Sequence, residues 1–162
     1  MEIELKFLCA APVDIETWPH TEIEQAYLCD SPVVRVRRDG DRYFLTYKSS
    51  GLMAREEYNL PLDESSYAHL LKKADTEPLS KTRYRKPIRR TLNGVEKDLT
   101  IELDIFHGRL APLVMAEVEF ETEEDAKAYV PEAWFGREVT WDKGYHNSNL
   151  IKDGLPENFT SP

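Results

Sequence analysis

The chain has 162 residues, with 21 Lys or Arg against 30 Asp or Glu and a formal net charge of −9, and 41% of it is hydrophobic. That apolar share suffices for one buried core in a single domain over 1–162, while the negative charge excludes a generally basic surface that coats nucleic acid. No apolar run is long enough for a membrane span, Glu2 and Glu4 stand where a secretory leader would need basic residues, and Cys9 and Cys29 are too few and too widely spaced for a zinc motif or a disulfide framework. Two ordinary buried thiols in a reduced, cytoplasmic setting are expected.

The first segment, Glu2 to Leu8, alternates strictly: Glu2, Glu4 and Lys6 share one side, and Ile3, Leu5 and Phe7 the other. Further strands are predicted over Glu22–Leu28, Val33–Arg38 and Arg42–Lys48, the last two joined by an Asp39-Gly40-Asp41 turn, and over Arg55–Pro61. Asp63 reads as the N-cap of a short helix carrying Tyr67, Leu70 and Leu71. Then come strands over Ser80–Lys86, Glu96–Phe106 and Leu113–Phe120, with an Asn93-Gly94 turn between the first two. Thr122 starts a helix that ends before Pro131, and Thr140 or Asp142 starts a last one reaching about Lys152. Residues 154–162 read as a loose tail.

Strand after strand carries one ionic face. In chain order these faces hold Glu2, Glu4 and Lys6; Arg35 and Arg37; Lys48; Arg55 and Glu57; Lys81, Arg83 and Arg85; Glu102 and Asp104; Glu117 and Glu119. Like charges two residues apart repel unless opposite charge lies across from them. A closed barrel with a wet ionic interior sets carboxylate strands against cationic ones, and helices outside cover the apolar faces. Divalent metal would sit among the carboxylates, and polyanionic phosphate among Arg and Lys.

The N-terminal Glu2-Ile3-Glu4-Leu5-Lys6 resembles the ExExK signature of the CYTH superfamily, the triphosphate tunnel metalloenzymes. The order of the later segments supports the likeness: Gln25-Ala26-Tyr27-Leu28, Arg35-x-Arg37, Lys48, Arg55-x-Glu57, Lys81-Thr82-Arg83-Tyr84, Glu102-x-Asp104-x-Phe106, Glu117-x-Glu119, and Asp142-Lys143 before Tyr145 and Asn147. Together they look most like the short, single-domain bacterial branch, whose members resemble inorganic triphosphatases. The resemblance implies an α+β, mainly antiparallel fold, an eight-stranded closed β-barrel tunnel, and metal-dependent hydrolysis of tripolyphosphate or a related triphosphate. It implies Glu2, Glu4 and Glu119 as ligands of Mg²⁺ or Mn²⁺. Lys6, Arg35, Arg37, Lys48, Arg83 and Arg85 would cradle phosphates, Glu57 or Glu117 would assist a second metal or the attacking water, and Tyr27 would orient phosphate or water.

Two departures from the family pattern stand out: Asn59 where a second glutamate often follows Glu57, and Gly144 where close relatives often carry arginine. The superfamily also holds adenylate cyclases and thiamine or nucleoside triphosphatases, and a non-catalytic polyphosphate-binding or organophosphate-binding module is a further alternative. A small polyanionic substrate, no nucleic acid, no membrane, and a monomer or homodimer are expected. His20, His69, His107 and His146 share no ligand spacing, and Trp18, Trp134 and Trp141 read as packing residues rather than a base-stacking platform.

Overall fold

In the computed structural model, which describes residues 1–162, the alternating segments become ten strands of one sheet. They are β1 (Glu2–Cys9), β2 (His20–Asp30), β3 (Val33–Asp39), β4 (Arg42–Lys48), β5 (Ala54–Arg55), β6 (Glu57–Leu62), β7 (Leu79–Leu92), β8 (Val95–Phe106), β9 (Val114–Phe120) and β10 (Phe135–Glu138). Three short helices accompany them: α1 (Glu64–Leu71), α2 (Glu123–Ala128) and α3 (Asn147–Asp153). The hydrogen-bonded order is β10-β1-β9-β8-β7-β2-β3-β4-β6, with β5 paired to β1, and every pairing is antiparallel.

Local chemistry sets the turns and caps. Asn93 and Gly94 both take positive φ, 51° and 78°, as a two-residue hairpin turn between β7 and β8 requires. The Asp63 carboxylate accepts from the Ser66 backbone N–H at 2.6 Å, and the Thr122 hydroxyl from that of Asp125 at 3.1 Å, so α1 and α2 start where their caps place them. The last helical region is broken in two. Asp142 caps a 3₁₀ turn over Lys143–Tyr145, His146 then adopts extended backbone, and α3 begins at Asn147.

The closed eight-stranded barrel expected from the ionic faces is not what forms. The sheet is an open path whose end strands, β10 and β6, do not pair with each other. The segment expected as one strand over Arg55–Pro61 splits at Glu56: β5 docks on β1 (Glu2↔Arg55), whereas β6 pairs only with β4 (Lys48↔Glu57 to Tyr43↔Leu62). The rest of that edge of β1 is taken by β10, a four-residue strand too short for its alternation to be read from sequence. A Cβ at Gly136 would lie 2.7 Å from the Leu8 carbonyl oxygen, so glycine is what lets β10 approach so closely.

Two apolar clusters bracket the ionic surface. One lies on the outer face, where Ile3, Leu5 and Phe7 of β1 pack with Ile101 and Leu103 of β8 and Val118 and Phe120 of β9, under Ala126 and Tyr129. The other continues the inner face itself. At the same parity Leu8 follows Lys6, Phe106 follows Asp104 and Met115 precedes Glu117, and these three residues pack against Tyr145, Leu150 and Ile151. Each such fully buried side chain contributes ~1.5–3 kcal/mol, so the segment around α3 seals one end of the inner face and leaves the ionic part open to ligand. Leu155 and Phe159 pack on the same cluster, and Asn158 bonds the Tyr145 hydroxyl (2.8 Å) and Asp142 (2.9 Å). No helix is long and apolar enough to cross a membrane.

Candidate active site

The ionic faces meet in one cavity of about 370 Å³. Of the site residues read from sequence, Glu2, Glu4 and Lys6 reach it from β1, Arg35 and Arg37 from β3, and Lys48 from β4. Glu57 enters from β6, Arg83 and Arg85 from β7, and Glu117 and Glu119 from β9. Tyr27 does not line it. Its hydroxyl instead accepts from Gln25 Nε2 at 3.1 Å, and Gln25 Oε1 accepts from Arg37 Nε at 2.8 Å. Sequence reasoning gave no role to Gln25, which is fully buried, nor to Asp39 and Asn147, and placed Arg55 on an ionic face without a named role. Strand register brings Gln25, Asp39 and Arg55 around the cavity, and the start of α3 brings Asn147.

Most of the charge is already paired. Arg83 donates to Asp104 (2.7 and 2.8 Å), Glu102 (2.9 Å) and Glu117 (3.3 Å). Burial opposes its charge, but Asp104 and Glu102 outweigh that and raise its pKa. Asp104 also takes Lys81 at 2.6 Å, and both side chains are wholly buried, so this pair forms the floor beneath Arg83 and does not face ligand. Lys6 lies 3.1 Å from Glu4 and 3.7 Å from Glu117, while its backbone N–H donates to Thr140 at 2.9 Å. Despite burial, those two carboxylates hold the Lys6 ammonium charged, with a raised pKa. Lys48 pairs with Glu2 at 2.8 Å, Arg55 lies 3.6 Å from Glu2, and Arg85 is held by Asp39 (3.0 Å) and Thr21 (2.9 Å).

Three charged groups are left over. Arg35 is 3% exposed and makes no ion pair, and its Nε has no hydrogen-bond partner. Arg37 has only the neutral Gln25, and its pKa is pushed down to about 10 by burial and then by the Arg35 and Arg83 charges. Glu119 has no cation beside it and stands directly across from Glu4 in the β1–β9 ladder. Partial burial, then Glu2, Glu4, Glu57 and Glu102, push its carboxyl up to about 7. Like charges opposite one another in a sheet repel, so this end calls for a cation, and the Arg35–Arg37 end for an anion.

The donor set suits a hard divalent ion. Its groups are carboxylate oxygens on a shared wall, one of them carrying unneutralised charge, and Glu117 Oε1 is buried without a hydrogen-bond partner. No three of these groups converge on one point at ligand distance, because Lys48 and Lys6 hold Glu2 and Glu4 in the present arrangement. The two departures also have local reasons. Asn59 donates to Glu57 at 2.8 Å and accepts from Thr46 at 2.6 Å, so an amide orients Glu57 where a second carboxylate would repel it. A Cβ at Gly144 would come within 3.2 Å of both Pro156 and Asp142, which leaves little room for a larger residue.

A curated inorganic triphosphatase of Nitrosomonas europaea is 39% identical over 152 residues, spanning 92% of this chain and 95% of that protein. A second, from Acetivibrio thermocellus, is 34% identical over 158 residues, 94% of each chain. The crystal structure of an inorganic triphosphatase superposes with a TM-score of 0.65 at 34% identity, covering 96% of this chain and 97% of that one. The CYTH domain model matches residues 1–150, which takes in every strand that builds the cavity. With the N-terminal Glu-x-Glu-x-Lys strand standing in that cavity beside its matching arginine and glutamate strands, this chain belongs to the CYTH domain family.

Proposed function

We propose that this protein is a metal-dependent inorganic triphosphatase that cleaves tripolyphosphate. The observation that carries this reading is the segregation of unpaired charge within one cavity, with Arg35 and Arg37 lacking an anion and Glu119 lacking a cation. A metal-chelated polyphosphate satisfies both ends at once. Met1 is the only hydrophobic residue among those lining the cavity, which supports an inorganic substrate over one bearing a nucleobase or thiamine.

In this reading Glu2, Glu4 and Glu119 hold Mg²⁺ or Mn²⁺, which would supply Lewis-acid polarisation of phosphoryl oxygens. Arg35 and Arg37 form the strongest phosphate seat because no carboxylate competes for them. Lys6, Lys48, Arg83 and Arg85 add fixed positive charge that offsets the charge developing on the phosphoryl oxygens. Glu57 or Glu117 orients the attacking water, and Tyr27 acts through Gln25 to fix Arg37. The thiols of Cys9 and Cys29 are free, which supports a reducing, cytoplasmic setting.

The test is phosphate release from tripolyphosphate, pyrophosphate, ATP and thiamine triphosphate, each with Mg²⁺ or Mn²⁺ and again with chelator. Tripolyphosphate is expected to be cleaved fastest, only with metal, and Glu4→Gln to lower kcat by about 100-fold or more, the scale of losing one group that stabilises a transition state. Tight tripolyphosphate binding without metal-dependent release would show a binding module instead.

A further inference from the structure

Three buried side-chain atoms without hydrogen-bond partners, Arg35 Nε, His146 Nε2 and Asn147 Oδ1, belong to residues that line one small space of about 10 Å³. That space shares Arg35, Lys48 and Asn147 with the active cavity. On its other side it shares Val33, Arg55, His146 and Ser148 with a pocket of about 440 Å³ among Ser49, Ser50, Lys143 and Asn149. This neck lies between the cavity and a second face of the protein and shares wall residues with both.

A buried polar atom left unpaired costs ~1–3 kcal/mol, and three on residues that line one space point to a common partner. The volume is that of one water and too small for a phosphate. The donor count fits as well: a guanidinium Nε–H donates one bond, and an imidazole nitrogen and an amide oxygen accept two, which one water completes. Burial, then the Lys6 and Arg55 charges, hold the His146 pKa down to about 4, so the ring is neutral and free to accept. A water also donates or accepts as needed, so the match survives either orientation of the amide.

We propose that this neck binds one water and is the route by which the water consumed in hydrolysis enters once substrate fills the open side of the cavity, an inference that rests on the triphosphatase reading. The water oxygen forms a bond to phosphorus, the bridging P–O bond breaks, and pyrophosphate departs with the electron pair. The water's proton passes to a phosphate or carboxylate oxygen and on to solvent. His146 and Asn147 are positioning residues in this scheme.

Two measurements decide it. A high-resolution crystal structure of the unliganded protein is expected to show one ordered water within hydrogen-bond distance of Arg35 Nε, His146 Nε2 and Asn147, and a dry neck overturns the proposal. Ser148→Trp fills the neck from the side away from the active cavity, and Asn147→Leu keeps the branched shape but removes the acceptor and serves if the first variant does not fold. Each is expected to lower kcat for tripolyphosphate at least tenfold, with KM and the affinity of a non-hydrolysable imido analogue within twofold of wild type. Unchanged kcat, or a raised KM alone, overturns the route. A wild type that releases no phosphate from tripolyphosphate overturns the triphosphatase reading instead.

Discussion

Arg37 and Arg83 face the same cavity from neighbouring walls, yet their removal should fail in opposite ways. Arg83 holds three carboxylates, and the wholly buried Asp104 beneath it would keep only Lys81, so Arg83→Ala leaves buried negative charge in excess. Breaking such a pair costs ~3–5 kcal/mol. At roughly 2–4 °C per kcal/mol for a chain of this size, Tm should drop by about 10 °C. Arg37 gives up one hydrogen bond to Gln25 and relieves its repulsion with Arg35 and Arg83, so Arg37→Ala should change the ligand-free Tm by no more than ~1 kcal/mol equivalent. What it loses is the phosphate seat. A charge-assisted hydrogen bond contributes ~1.5–3 kcal/mol, or about 10- to 150-fold in Kd. Thermal unfolding with and without the imido analogue of tripolyphosphate and Mg²⁺ reads both effects. At a ligand concentration near 100 times the wild-type Kd, wild type gains ~2.7 kcal/mol, and a 100-fold weaker variant gains only ~0.4 kcal/mol. An Arg37→Ala protein that unfolds as early as Arg83→Ala, or that keeps the full ligand shift, would refute the assignment of Arg37 as an unpaired phosphate seat.

Glu119 yields a pH dependence of defined sign. Its folded pKa lies above the unfolded value, 4.5 against about 7, so between those limits the folded state holds a proton that the unfolded chain has lost. Its contribution to stability is therefore present below about pH 4.5 and lost as pH rises through 7. Metal-free Tm measured from pH 5 to 8 should show that component, Glu119→Gln should remove it and added Mg²⁺ should reverse it; a wild-type profile identical to that of the variant would refute the crowding of Glu119 by Glu2 and Glu4. Asn158 ties the C-terminal segment to Tyr145 and Asp142, so Asn158→Ala should cost ~1–2 kcal/mol in denaturant unfolding, and no change in midpoint would mean that the tie contributes nothing.

Period-2 alternation of charge and apolar residues was enough to locate β1, β3 and β4, to assign which residues of β7, β8 and β9 look inward, and so to bring eleven of the twelve named site residues to one cavity, all but Tyr27. Alternation is a property of a single strand, and parity follows from the pleat whatever the neighbours do. Closure is a different kind of fact. Whether β6 or β10 takes the free edge of β1 depends on a break at Glu56 and on how closely Gly136 can approach Leu8, and neither leaves a periodic trace. Pairing of charge is likewise non-local: Lys81 and Arg83 look alike in sequence, but Lys81 is spent on Asp104 in the floor, while Arg83 reaches the cavity and is held by Glu102 and Glu117 as well as Asp104. Which arginines remain free for phosphate, which glutamate lacks a cation, and which three polar atoms share one neck were decided only when strands distant in the chain came into register, because an ion pair depends on distances across the sheet that the order of residues along one strand does not contain.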